Sequence, residues 1–166
     1  MSPNRYQPHL LVIPEDKANQ DIVNGFLLHV EYNARQLQVL DLANGWLKGK
    51  DKLLELSVGD LAKNKNAHAL LLIDHDGDSA RGSNIKDRIS DDVKDRVFVI
   101  GVLREPEELK SANQKYEQMG KRIADGCKDN NSDFWQHELL VHNLEEVQRL
   151  SEVVHDFFFP GSKNTH

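Results

Sequence analysis

Residues 67–78 read AHALLLIDHDGD: Ala67-His68-Ala69-Leu70-Leu71-Leu72-Ile73, then Asp74-His75-Asp76-Gly77-Asp78. The first seven form a continuous apolar run bounded by polar turns, the pattern of a strand buried on both faces. The run delivers three aspartates, at alternate positions, to the point where the chain leaves the sheet. On each side of it the pattern alternates between strand and helix.

Upstream, His9 to Pro14 (HLLVIP) is a short apolar run closed by proline, and it reads as a first strand. Ile22, Val23, Phe26, Leu27 and Val30 follow at spacings that place them on one helix face. Gln36 to Leu42 (QLQVLDL) reads as a second strand, ended by Asn44-Gly45. Leu53, Leu54, Leu56 and Leu61 suggest a helix that Gly59 weakens. Downstream, Ile85 to Val93 fits a short amphipathic helix and Arg96 to Leu103 (RVFVIGVL) a fourth strand. From Glu105, the residues Leu109, Ala112, Tyr116, Met119 and Ile123 recur at helical spacing, and Gly126 is the expected stop. In a last helix Leu144, Val147, Leu150, Val154 and Phe157 share a face, and Pro160-Gly161 ends it. This order predicts an α/β fold: a four-stranded, mainly parallel sheet with helices on both faces, followed by C-terminal helices.

The chain has 166 residues, one domain's worth, with a core expected over 9–110 and a helical part over 105–160. Apolar residues are 39% and charged residues 29%, the balance of a folded domain. Neither the mean hydropathy of -0.61 nor any apolar run suits a membrane span. The first thirteen residues lack the pattern of a secretion signal, and Cys127 is the only cysteine, so a cytoplasmic location is expected. The formal net charge of -6 disfavours general polyanion binding. Contact with nucleic acid would need a local basic patch or metal ions that offset the carboxylates. The eight histidines are scattered and form no zinc motif.

Ligands of doubly wound sheets bind beyond the C-terminal ends of the strands. Here the first strand is followed by Glu15-Asp16, the third by Asp74, Asp76 and Asp78, and the fourth by Arg104-Glu105-Pro106-Glu107. Carboxylates gathered at one rim raise one another's pKa unless a cation neutralises them. A hard divalent ion, Mg²⁺ or Mn²⁺, held by oxygen ligands is the simplest such cation, and it would suit phosphoryl transfer. Taken one at a time, the same acidic residues are ordinary helix caps and strand ends. A calcium loop of EF-hand type is excluded, because its glycine and glutamate positions hold Ser79 and Ile85.

The glutamate after the first strand, with the Asp-x-Asp after the third, resembles the signature of TOPRIM domains, the fold of topoisomerases, primases and OLD-type nucleases. The match covers about residues 9–110, on Glu15 in Ile13-Pro14-Glu15-Asp16-Lys17 and on Asp74 and Asp76. One departure is Asp16, where the family usually has glycine. The segment Val102 to Leu109 is similar to the acidic stretch of small TOPRIM-like proteins of bacterial defence systems. The resemblance implies Glu15 as general acid/base or metal ligand and Asp74 and Asp76 as Mg²⁺ ligands. Asp78 would be a further ligand, with Glu105 and Glu107 as alternates. Arg104 or Lys110 would stabilise phosphate charge, and Arg81 and Lys86 would contact a phosphate backbone, although a solvated helix face is the plainer reading of these cations. His75, between the two aspartates, is expected to point away from them. Trp135 is expected to pack in the core or against a helix, since base stacking would need an exposed ring.

The implied activity is that of a Mg²⁺-dependent nuclease or related phosphoryl-transfer protein. The alternative is an interaction module with little catalysis. OLD-type nucleases carry an ATPase, and no GxxxxGK[ST] loop occurs here, so either the protein works alone on a small target or an ATPase comes from a separate chain. A homo-oligomeric partner is a further option. Ile73 to Asp78 also resembles locally the Asp-x-Asp-Gly nucleophile motif of haloacid-dehalogenase-like phosphatases. In that family the motif follows the first strand, and here too little chain remains for the later motifs.

Overall fold

The structure is a computed structural model, and it describes residues 6–28, 36–78, 80–101, 118–122, 125 and 143–158. Four strands form one sheet: β1 (His9–Pro14), β2 (Leu37–Val39), β3 (Ala67–Leu72) and β4 (Val97–Ile100). Their order is β2-β1-β3-β4, and every pairing is parallel. Helices α1 (Lys17–Leu28), α2 (Trp46–Val58), α3 (Asp60–Lys63), α4 (Arg81–Lys86) and α5 (Asp91–Lys94) interleave with them, and α6 (Leu144–Phe158) follows.

The register aligns Val12 with Leu70 and Leu70 with Phe98; the neighbouring row aligns Ile13, Leu71 and Val99. Aligned residues of a parallel sheet share a face. The odd-numbered row joins Leu53 of α2, Leu61 of α3, Ile85 of α4 and Val93 of α5 in one apolar cluster. The even-numbered Leu10, Val12, Leu70, Phe98 and Ile100 are buried as well. Burial on both faces explains why these strands are continuous apolar runs without alternation. α1 packs on β1 and α6 on β4.

The edge strand β4 is closed by Asn143, just before α6, and by Glu146 within it. Asn143 Oδ1 accepts from the Gly101 amide at 3.1 Å, and Asn143 Nδ2 donates to the Gly101 carbonyl at 2.8 Å. Glu146 Oε2 accepts from the Val99 amide at 3.0 Å, and its other oxygen takes Lys86 at 2.7 Å and Arg149. Side chains thereby pair backbone groups that no described strand meets and that would otherwise be open to edge pairing. At the opposite end of the strands Arg96 donates to the carbonyls of Leu61, Asn64 and Ala67 at 2.8–2.9 Å. Gly101 cannot carry a side chain: a Cβ there would lie 1.6 Å from the Ile73 carbonyl oxygen.

Several boundaries differ from the sequence expectation. The fourth strand, expected over 96–103, covers Val97–Ile100. The second strand covers Leu37–Val39 rather than 36–42. Leu40 still donates to Val12 O at 2.8 Å, but the next such bond runs from Ala43 to Pro14 O at 3.0 Å. Three residues then span two of β1, and the extra residue breaks the ladder as a bulge does. The helix expected over 85–93 starts earlier, at Arg81, and is split into α4 and α5. Ser90 causes the split, since its Oγ accepts from the Asp92 amide at 3.4 Å and Asp91 and Asp92 fill the new first turn. Gly59 breaks the helix predicted around Leu53–Leu61 into α2 and α3. Of the helix expected from Glu105, residues 118–122 and 125 are helical and the remainder lies outside the described residues.

Candidate active site at the carboxyl edge of the sheet

Because all four strands run the same way, β1 and β3 end side by side. Pro14 pairs with Leu72, and the Glu15 amide extends the ladder by donating to Leu72 O at 2.9 Å. On its other side the Glu15 carbonyl accepts from Asn44 at 2.8 Å. The backbone of Glu15 is therefore held from two neighbours. Its side chain reaches across to β3, where Oε2 accepts from the Asp74 amide at 2.6 Å.

Asp16 begins α1. Its Oδ1 accepts from both the backbone amide and the side-chain Nδ2 of Asn19, each at 3.0 Å, which is an N-cap. Asn19 is buried, and its Nδ2 also lies 3.5 Å from Asp74 Oδ1. The residue that departs from the TOPRIM pattern thus starts the first helix and, through Asn19, is tied to Asp74. The pattern Asp16-x-x-Asn19 carries a helix-start signal in the sequence; the link to Asp74 is tertiary.

Beyond Asp74 the chain stops being strand-like. The Asp78 amide donates to His75 O at 2.9 Å, and the two residues between them, Asp76 and Gly77, have φ of 50° and 83°. This is the left-handed pair of a tight turn, which Asp and Gly tolerate well. The turn sends Asp76 toward α4: its Oδ2 accepts from Arg81 Nη1 at 2.8 Å, and the same nitrogen donates to Asp74 O at 3.1 Å. His75 is buried, with Nε2 about 3.4 Å from where a Cβ on Gly82 would stand. Asp78 Oδ1 accepts from the Ala80 amide at 3.0 Å. Lys86 is engaged by Glu146. Arg104, Glu105, Glu107 and Lys110 lie outside the described residues, as do Cys127 and Trp135.

The crowding of carboxylates shows in their titration. Burial, then the charges of Asp16, Glu15 and Asp76, push Asp74 up to about 7, against the hydrogen bond from Asn19. Glu15 is raised too, by burial first and by Asp16 and Asp76, against the hydrogen bond from the Asp74 amide and the charge of Arg81. A site with excess negative charge and hard oxygen donors suits a divalent cation. The fit has a definite form. Among the described residues no three His, Cys, Asp or Glu side chains stand together as a ready-made metal cage. Mg²⁺, however, is commonly held by one or two carboxylates, with water and substrate phosphate completing its shell. Asp74 and Glu15, whose charge bears on it, would be such a pair, whereas Asp76 is turned to Arg81.

Beside this rim a cleft of about 220 Å³ opens between α2 and α4. Trp46, Lys50, Arg81 and Arg88 line it, and Arg81 lies over the Trp46 ring, 4.1 Å from its centroid. Sequence reading passed over Trp46, Lys50 and Arg88, because nothing in their spacing announces that α2 and α4 face each other.

In comparisons with known proteins the chain matches no family model, no curated protein and no solved structure. The class that the fold defines is therefore a small α/β domain with a four-stranded parallel sheet. No described helix is long and apolar enough to cross a membrane.

Proposed function

We propose that the chain is a TOPRIM-like, divalent-cation-dependent phosphoryl-transfer protein that cleaves nucleic acid. The supporting observation is that the Glu15 carboxylate, at the end of β1, accepts from the Asp74 backbone amide, at the end of β3, at 2.6 Å, and that burial and the charges of Asp16, Glu15 and Asp76 push the Asp74 carboxyl to about 7. Two strand ends far apart in sequence bring Glu15 near enough for its charge to raise the Asp74 pKa, a cost in repulsion. Such a cost is common at functional sites.

In this reading Asp74 and Glu15 hold the ion. A bound Mg²⁺ or Mn²⁺ would polarise a phosphoryl oxygen and lower the pKa of a bound water. Arg81, fixed by Asp76 and by Trp46, presents a cation at the rim for phosphate oxygens. Asn19 orients Asp74 through its side-chain amide.

The test is cleavage of labelled DNA and RNA by the purified chain with Mg²⁺ or Mn²⁺. Cleavage is expected, with loss in chelator and in Asp74→Ala. A folded wild type that cleaves neither nucleic acid under these conditions would refute the activity for the chain alone.

A second reading has its own support. Asp76 is engaged by Arg81, and no three-carboxylate cage exists among the described residues. That arrangement fits a module completed by another chain, such as a separate ATPase. Cleavage appearing only with an added ATPase-bearing partner and ATP would favour it.

A further inference from the structure

We infer that the cleft between α2 and α4 binds one nucleotide of a single-stranded nucleic acid, and that this strand then runs across the acidic rim. The inference relies on the phosphoryl-transfer reading only for the kind of polymer concerned.

The first observation is charge. The whole chain carries a net charge of -6, yet this cleft gathers Lys50, Arg81 and Arg88. Lys50 faces only the exposed Asp51, at 3.7 Å, and among the described residues Arg88 has no ion-pair partner. Local cations on an acidic protein form a phosphate site that does not depend on overall attraction.

The second observation is the stacked pair. The Arg81 guanidinium lies on the Trp46 ring at 4.1 Å and is also held by Asp76 and the Asp74 carbonyl. A guanidinium plane fixed in this way, next to an indole, is a platform on which an unpaired base can stack. Asp78 stands at the same cleft and so marks its side nearest the rim.

The third observation is size and shape. At about 220 Å³ the cleft is smaller than the ~300–1,000 Å³ of pockets that enclose a free small molecule. An open cleft of this size suits one residue of a polymer passing over it. A duplex keeps its bases stacked inside and offers no ring to the platform, so a single strand is the ligand.

Arg81 links the two places. Its Nη1 contacts Asp76 and the Asp74 carbonyl, and the same side chain lines the cleft. A strand seated on Trp46 and Arg81 therefore has its next phosphate beside Asp74.

The test is fluorescence anisotropy with labelled oligothymidylate, in chelator so that no cation is involved. Wild type should bind, more tightly than it binds a duplex of equal charge, and the affinity should fall with salt. In Lys50→Ala/Arg88→Ala two phosphate contacts are lost, so the salt slope should drop by about 1.4 and affinity by about five-fold or more. Trp46→Leu keeps apolar volume but removes the ring, and should weaken binding about five- to a hundred-fold. Trp46 packs against the core, so circular dichroism must show that variant folded; if it is not, the double cation variant decides. Lys63→Ala/Lys65→Ala, exposed residues just before β3 at the other end of the sheet, should bind like wild type. The inference is overturned by no binding in chelator, by a duplex binding better, by wild-type affinity in Lys50→Ala/Arg88→Ala, or by an equal loss in the Lys63/Lys65 control. Binding that persists without any cleavage would count against the catalytic reading alone.

Discussion

Replacing Asp74 by asparagine should stabilise the cation-free protein, and the gain should grow as pH rises. Burial and the neighbouring carboxylates move the Asp74 pKa from its ordinary 3.8 to about 7. A group raised in the folded state contributes its full stability below the unfolded value. That contribution is lost as pH climbs through the window from about 4 to about 7, because the unfolded chain ionises first. Taken at face value the displacement corresponds to about 4 kcal/mol. The carboxyl is only half-buried, so solvent screening reduces this to roughly 1–2 kcal/mol. Asparagine cannot ionise, and its side-chain oxygen still accepts from Asn19. Urea unfolding in chelator, at about pH 5 and about pH 8, should show the variant roughly 1–2 kcal/mol more stable at the higher pH and less advantaged at the lower. A variant less stable than wild type at about pH 8, or a gain independent of pH, would refute electrostatic crowding at this rim.

Further predictions concern the frame that holds the site. Gly101→Ala places a methyl 1.6 Å from the Ile73 carbonyl oxygen, so little folded protein should be recovered, as read by circular dichroism. Asn143→Ala removes both bonds to the buried Gly101 amide and carbonyl and should cost about 2–4 kcal/mol in urea unfolding. Glu146→Ala frees the Val99 amide together with Lys86 and Arg149, and should cost about 1–3 kcal/mol by the same measurement.

Much of this frame is visible in the chain itself. HLLVIP, AHALLLI and RVFVIGVL are largely apolar runs of strand length, and β1, β3 and β4 fall within them because burial on both faces favours apolar residues at successive positions. Parallel strands put their C-terminal ends together, so Glu15 and Asp74 can be paired on paper. The position of Asp76 cannot be read that way. Period-two alternation places it beside Asp74, but Gly77 lets the chain turn with positive φ at Asp76, and the side chain goes to Arg81. The closure of β4 is equally hidden. Asn143 and Glu146 read as the start of an amphipathic helix, and their roles depend on where that helix docks, more than 40 residues from Val99 and Gly101. The cleft cations are silent for the same reason, since Trp46 and Arg81 meet only once α2 and α4 pack on one face of the sheet.

Titration calorimetry of Mn²⁺ into wild type and Asp74→Asn tests the central claim most directly, since it asks whether the Glu15–Asp74 rim is a cation site. At about pH 7, where Asp74 is close to half-protonated, wild type should bind one ion and release a fraction of a proton, seen as a heat that varies with buffer ionisation enthalpy. Asp74→Asn should lose both the binding and the proton release while keeping its fold. A folded wild type that takes up no Mn²⁺ at millimolar concentration, or a variant that binds as wild type does, would contradict the account.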